Sequence, residues 1–145
     1  MNARLDLLGR LNAALPTHES NRGLISEIGG VEFATGAASI NTSGREKLAK
    51  FSGVVASYPA LRINVEGHTD NTGSNEGNVK LSQERADAIK TLLVSKGITP
   101  ERIVAKGYGS QYPQVANATP EGRQANRRVE IVVLNEGVSP QSVTR

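Results

Sequence analysis

Asp70 and Arg85 are the charged residues whose placement asks for chemistry. On a helical wheel at about 100° per residue, Arg85 falls inside the arc of Leu81, Ala88, Ile89 and Leu92. Lys80, Glu84, Asp87, Lys90 and Thr91 occupy the opposite side. A guanidinium drawn into the seam between helix and sheet needs an acceptor, because an uncompensated buried charge is strongly destabilising. The plainer account is an arginine snorkelling from the edge of the apolar stripe. Asp70 follows an apolar run ending at Gly67 and opens the loop that feeds the Arg85 helix. Ligand sites in α/β sheets gather outside the carboxyl ends of parallel strands, where the scaffold holds loop residues still. Asp70 and Arg85 therefore read either as an internal salt bridge or as a negative and a positive group offered to a zwitterion such as an amino acid. The residue chemistry leaves both open.

Other candidate chemistry is weaker. His18 and His68 have no third ligand in view, so zinc is not expected. No serine or cysteine nucleophile is placed by a motif, and the chain is read as a non-enzyme without cofactor. Gly107-Tyr108-Gly109 lacks the third glycine and following helix of a dinucleotide loop, and is read as a turn. Arg123, Arg127 and Arg128 form the most basic cluster and make nucleic-acid binding the main rival from another class. Against it stand a net charge of only +3 and just five aromatic residues, three Tyr and two Phe. Cysteine is absent, so disulfides and thiolate metal sites are excluded. No apolar run approaches the roughly 20 residues that cross a bilayer. Met1 to Leu15 lacks a signal-peptide core and cleavage motif, so any export signal or anchor is expected outside this sequence.

The elements that must position Asp70 and Arg85 follow from periodicity. Leu5, Leu8, Leu11 and Leu15 predict an amphipathic helix that either packs on the domain or continues a coil upstream, with the coil slightly favoured. Pro16 and the polar run Thr17 to Arg22 end it. Leu24 to Phe33 reads as a strand interrupted at Gly29-Gly30, and residues 34 to 40 as loop. Ser43 with Glu46 has capping-box spacing and predicts a helix carrying Leu48, Phe51 and Val55, closed by Pro59. A strand at 63–68 leads through the turn-rich 70–77 into a helix ending near Lys96, with Gly97 as its cap. Thr99-Pro100 opens a short helical turn before a strand at 103–108. One helical turn at 120–124 precedes a final strand at 129–134. This order predicts an α/β two-layer sandwich with at least one parallel pair. The layout is a helical linker at 1–22, a domain at 23–135 and a disordered tail at 136–145.

The motifs carry a resemblance. Phe33-x-x-Gly36, Gly67-His68-Thr69-Asp70-Asn71-Thr72-Gly73, Asn78, Leu81-Ser82, Arg85-Ala86, Gly107-Tyr108-Gly109 with Pro113, and Asn126-Arg127-Arg128-Val129-Glu130 occur in order. Together they resemble the OmpA-like C-terminal domain, which includes the peptidoglycan-associated lipoprotein and flagellar stator B subunits. The resemblance spans about residues 23 to 135. It implies a βαβαββ fold with a mixed sheet and two main helices on one face. It further implies a periplasmic, wall-facing location in a parent protein anchored in the envelope and associated with the outer membrane. The implied activity is non-covalent binding of peptidoglycan through the meso-diaminopimelate of its stem peptide. The ligand-binding aspartate and arginine of the family fall on Asp70 and Arg85; Asn78 and Arg127 match further contacts, and Thr35-Gly36 a loop that supplies backbone groups. Many relatives carry Asp where this chain has Ala34, a change expected to have a modest effect. The alternatives are a nucleic-acid-binding domain or a structural domain that dimerises, and the opening helix allows a homodimer.

Overall fold

The computed structural model describes residues 3–33 and 37–134, so Thr35, Gly36 and the tail beyond residue 134 lie outside the described residues. The chain runs α1 (Ala3–Ala14), β1 (Thr17–Ser20), β2 (Gly23–Gly29), α2 (Thr42–Ala56), β3 (Ile63–His68), α3 (Asn75–Ser95), β4 (Ile103–Gly107), α4 (Pro120–Asn126) and β5 (Arg128–Leu134). One mixed sheet has the order β1-β2-β5-β3-β4. Only β3 and β4 are parallel, and α3 makes their crossover; the other neighbours are antiparallel. The expected strand-helix-strand-helix-strand-strand core is therefore present as β2-α2-β3-α3-β4-β5.

The two-residue period of the strands divides the sheet into two different faces. Ile63 and Val65 of β3, with Val129, Ile131 and Val133 of β5, join Leu48, Phe51, Ile89 and Leu93 of the helices in the main core. The other face carries Asn64, Glu66 and His68 from β3 and Arg128 and Glu130 from β5, all buried. Only Ile25, Val132 and Leu134 make a small apolar cluster there.

The first 22 residues depart from the linker reading. Leu7 and Leu11 of α1, and Leu15 just beyond it, enter the same core as Leu24 and Phe51, so α1 packs on the domain. The four-residue spacing keeps these leucines on one side of the helix, whereas Leu5 is 58% exposed. Thr17–Ser20, taken as a helix-ending polar run, is an edge strand paired with β2, with Thr17 opposite Ser26. β2 ends at Gly29, and residues 30–32 turn as a short 3-10 helix instead of continuing the strand to Phe33.

Two caps refine the helix boundaries. Asn41, not Ser43, caps α2: its side chain accepts from the Gly44 amide at 2.9 Å. At the other end Arg102 donates to the carbonyls of Leu61 (2.7 Å), Tyr58 (2.9 Å) and Val55 (3.4 Å), placing a cation where the helix carbonyls run out of partners. α4 extends to Asn126, longer than the single turn expected.

The helix that carries Arg85 is held against the sheet by two paired glycines. Gly67 and Gly107 are opposite each other in β3 and β4. A Cβ on Gly67 would lie 2.2 Å from the Ser82 carbonyl oxygen, and one on Gly107 would lie 2.2 Å from the Gln83 amide. Hydrogen bonds use the proximity: Gly107 donates to Gln83 Oε1 (2.8 Å) and Gly109 to Ser82 Oγ (3.0 Å). α3 is thereby fixed in register one turn before Arg85.

Candidate functional site

Asp70 stands just beyond the carboxyl end of β3, on backbone that is itself tied down. The Tyr108 amide donates to the Gly67 carbonyl and the Thr69 amide to the Gly109 carbonyl, so the β3 and β4 ends leave the sheet together. The Thr69 hydroxyl donates to the Asp70 carbonyl at 2.8 Å. The Asp70 side chain then closes an Asx turn, accepting the Thr72 amide on Oδ1 at 2.8 Å. Its Oδ2 accepts from Arg127 Nη1 in an ion pair. Burial works to raise the Asp70 carboxyl; the Thr72 amide, Arg127 and the Thr72 hydroxyl outweigh it and hold the carboxyl below its ordinary value of 3.8.

Arg85 is buried, only 5% exposed, on the α3 face formed by Ser82, Ala86, Ile89 and Leu93. The buried stripe is rotated from the wheel's Leu81 reference toward Ala86, which leaves Leu81 half-buried and Arg85 inside. Its Nε donates to the Ala37 carbonyl at 2.8 Å, and its guanidinium carbon lies 4.9 Å from the centre of the Phe33 ring. No carboxylate among the described residues pairs with it. Burial, and after it the positive charge of Arg127, lowers the Arg85 pKa. Asp70 and Arg85 do not form the internal salt bridge that the sequence left open; the ionic partner of Asp70 is Arg127.

Arg127 caps the end of α4, half-exposed, and its Nη2 donates to Gln124 Oε1 at 2.9 Å. Asn78, in the first turn of α3, reaches the Asp70 carbonyl through Nδ2 at 3.4 Å. The structure thus brings Asp70, Asn78 and Arg127 together and sets Arg85 beside them. Arg85 is bonded to the residue that follows the Thr35-Gly36 stretch. Phe33 and the Ala37 carbonyl were not expected as parts of the site; the Phe33-x-x-Gly36 spacing was the only trace of them. Two guanidiniums accompany one carboxylate, so the site carries an excess positive charge suited to an added carboxylate, with Asp70 available to an ammonium.

The three arginines of the basic cluster all have partners within the fold. Arg127 is paired with Asp70, Arg123 donates to the Asn117 carbonyl, and Arg128 is buried against Glu130. His68 does have acidic neighbours that the sequence did not reveal. Donor atoms of Glu66, His68 and Glu130 lie within 4.8 Å of one another, all buried. Arg22 pairs with Glu66 and Arg128 with Glu130, so the two carboxylates are already balanced by two guanidiniums and need no cation for neutrality.

A family model, that of the OmpA family, matches residues 32–127. Outer membrane porin F of Pseudomonas fluorescens is 52% identical over 79 residues, covering 54% of this chain and 24% of that protein. Peptidoglycan-binding protein ArfA of Mycobacterium tuberculosis is 41% identical over 105 residues, covering 72% of this chain and 32% of that protein. The probable lipoprotein YiaD of Escherichia coli is 38% identical and covers 71% of this chain and 47% of its own length. The chain spans less than half the length of each of these relatives. Among solved structures, the cell wall anchor of the T6SS from Pseudomonas aeruginosa superposes with a TM-score of 0.78 at 29% identity, covering 89% of this chain and 97% of that one.

Proposed function

The chain belongs to the OmpA family, and from that premise we propose that it grips the meso-diaminopimelate of a peptidoglycan stem peptide. Peptidoglycan binding in the periplasm is the general function; the ligand assignment is the finer step. In it, Asp70 takes the ammonium of one zwitterionic end and Arg85 its carboxylate through a bidentate fork. Arg127 and Asn78 add contacts, and the backbone at Thr35 and Gly36 completes the loop side. The chemistry is recognition without bond making, in which the domain tethers an envelope-anchored parent protein to the wall. The observation that carries this reading is the buried Arg85 guanidinium, met by one carbonyl and a ring face, beside an Asp70 kept ionised.

A few charged contacts at a partly open site bind weakly to moderately, and the dense array of stem peptides in the wall sustains retention. The test is co-sedimentation with isolated sacculi, wild type beside Asp70→Ala and Arg85→Ala. Both variants are expected to stay in the supernatant. If both pellet like wild type, the site assignment fails. Calorimetry with meso-diaminopimelate against lysine then addresses the ligand: lysine lacks the second zwitterionic centre, and equal binding of the two would remove the stated basis of specificity.

A further inference from the structure

On the sheet face away from the helices, the segment after β4 overhangs the strands and leaves a cleft of about 470 Å³ that the diaminopimelate site does not use. This volume suits a small organic ligand. Gln111, Tyr112, Pro113 and Gln114 line one side of it and His18 and Ile25 of the β1–β2 pair the other, over the buried pair Arg128 and Glu130.

Three features narrow what the cleft accepts. The Tyr112 ring is already in place: it stands edge-on to His68 (6.3 Å between centres) and to Tyr108 (5.3 Å), yet the residue is 37% exposed. A ring ordered in advance costs little entropy when a ligand lies against it. The charges below are spent on each other and on the backbone. Arg128 Nε donates to Glu130 Oε2 at 2.9 Å, and its remaining nitrogens donate to the carbonyls of Asn126 (3.2 Å) and Tyr112 (3.0 Å). The floor therefore favours an uncharged polar ligand over a phosphate or a charged peptide. Neutral amides supply the hydrogen bonding. Gln111 engages no other described side chain through its amide, and Gln114 donates from Nε2 to the Ala125 carbonyl (2.6 Å), which leaves its oxygen as an acceptor. A fixed aromatic ring with amides around a neutral floor is the chemistry that holds a pyranose, whose C–H face lies on the ring while its hydroxyl and acetamido groups meet the amides.

The chain connects the cleft to the first site through two consecutive residues: Arg127 reaches Asp70, and Arg128 holds the Tyr112 carbonyl. We infer that the cleft is a subsite for the amino-sugar strand to which a stem peptide is attached, an inference that rests on the proposed peptide reading.

The experiment titrates the full chain, followed by calorimetry and amide NMR, with three ligands: the stem peptide alone, the same peptide on its disaccharide, and the disaccharide alone. Wild type is expected to bind the disaccharide-peptide about tenfold more tightly than the peptide. Tyr112→Ala and Gln111→Ala, both at exposed rim positions, are expected to lose that gain and keep the peptide affinity. Asp70→Ala is expected to lose the peptide. Equal affinity of wild type for peptide and disaccharide-peptide overturns the subsite and leaves the peptide reading intact, as does a gain that survives both rim substitutions. If the peptide fails to bind but the disaccharide shifts the Tyr112 and Gln111 amides, the peptide reading falls and the sugar subsite stands. Binding of none of the three overturns both.

Discussion

Arg85 and Arg102 are both more than nine-tenths buried, yet their surroundings differ in kind. Arg102 spends its guanidinium on three main-chain carbonyls at the end of α2 and the turn beyond it. Arg85 meets one carbonyl and the face of a phenyl ring. Both are lowered in pKa, first by burial and then by a neighbouring arginine, Arg62 for Arg102 and Arg127 for Arg85. Burial and charge therefore do not separate a structural guanidinium from one proposed to bind. The supply of acceptors does: Arg102 meets three carbonyls of the fold, whereas Arg85 meets one and retains more donors for something else.

That distinction breaks if the two arginines respond alike to truncation. Arg102→Ala removes a cation from three carbonyls and is expected to cost about 3 kcal/mol in urea unfolding, with sacculus binding per folded molecule unchanged. Arg85→Ala is expected to do the reverse. Affinity for the stem peptide should fall by about 2 kcal/mol, roughly thirtyfold, while stability moves by less than about 1 kcal/mol. A large stability loss from Arg85→Ala, with peptide affinity kept, would make it a second Arg102. The smallest effect sharpens the role of Asp70. Its carboxyl is depressed in the folded chain, so its stabilisation is present in full above the ordinary value of 3.8 and is lost as pH falls through the lower folded value. Wild type is expected to exceed Asp70→Asn by about 1 kcal/mol near pH 6, because Arg127 is half-exposed, and the two should converge once pH has fallen below the lowered folded value.

The sequence revealed this site unevenly, for physical reasons. Arg85 was visible because an α-helix repeats every 3.6 residues, so a charge inside the apolar arc stands out. Asp70 was visible from the strand end and turn residues around it. Arg127 was reached only through the family resemblance, because it lies 57 residues from Asp70 and no local period links a helix cap to a loop across the sheet. Arg102 sits in a short 3-10 turn, where there is no stripe to contradict. Strands β3 and β5 were legible from their apolar residues, whereas β1 was not: Thr17-His18-Glu19-Ser20 is a polar edge strand, held by its ladder to β2 and by Thr17 against Ser26. The buried ionic face of β3 and β5 was likewise hidden, since only the strand register sets Glu66 and Glu130 side by side.

The sheet order has a mechanical consequence. Asp70 extends from the end of β3 and Arg127 immediately precedes β5, and these strands are antiparallel neighbours. A pull on anything held between them enters at the middle of the sheet. To reach α1 through the sheet, the load must pass along the β5–β2 ladder and then the β2–β1 hairpin. The strain is thus shared among rows of main-chain hydrogen bonds before it meets the packing of α1, and the grip is rooted in the part of the molecule least able to peel.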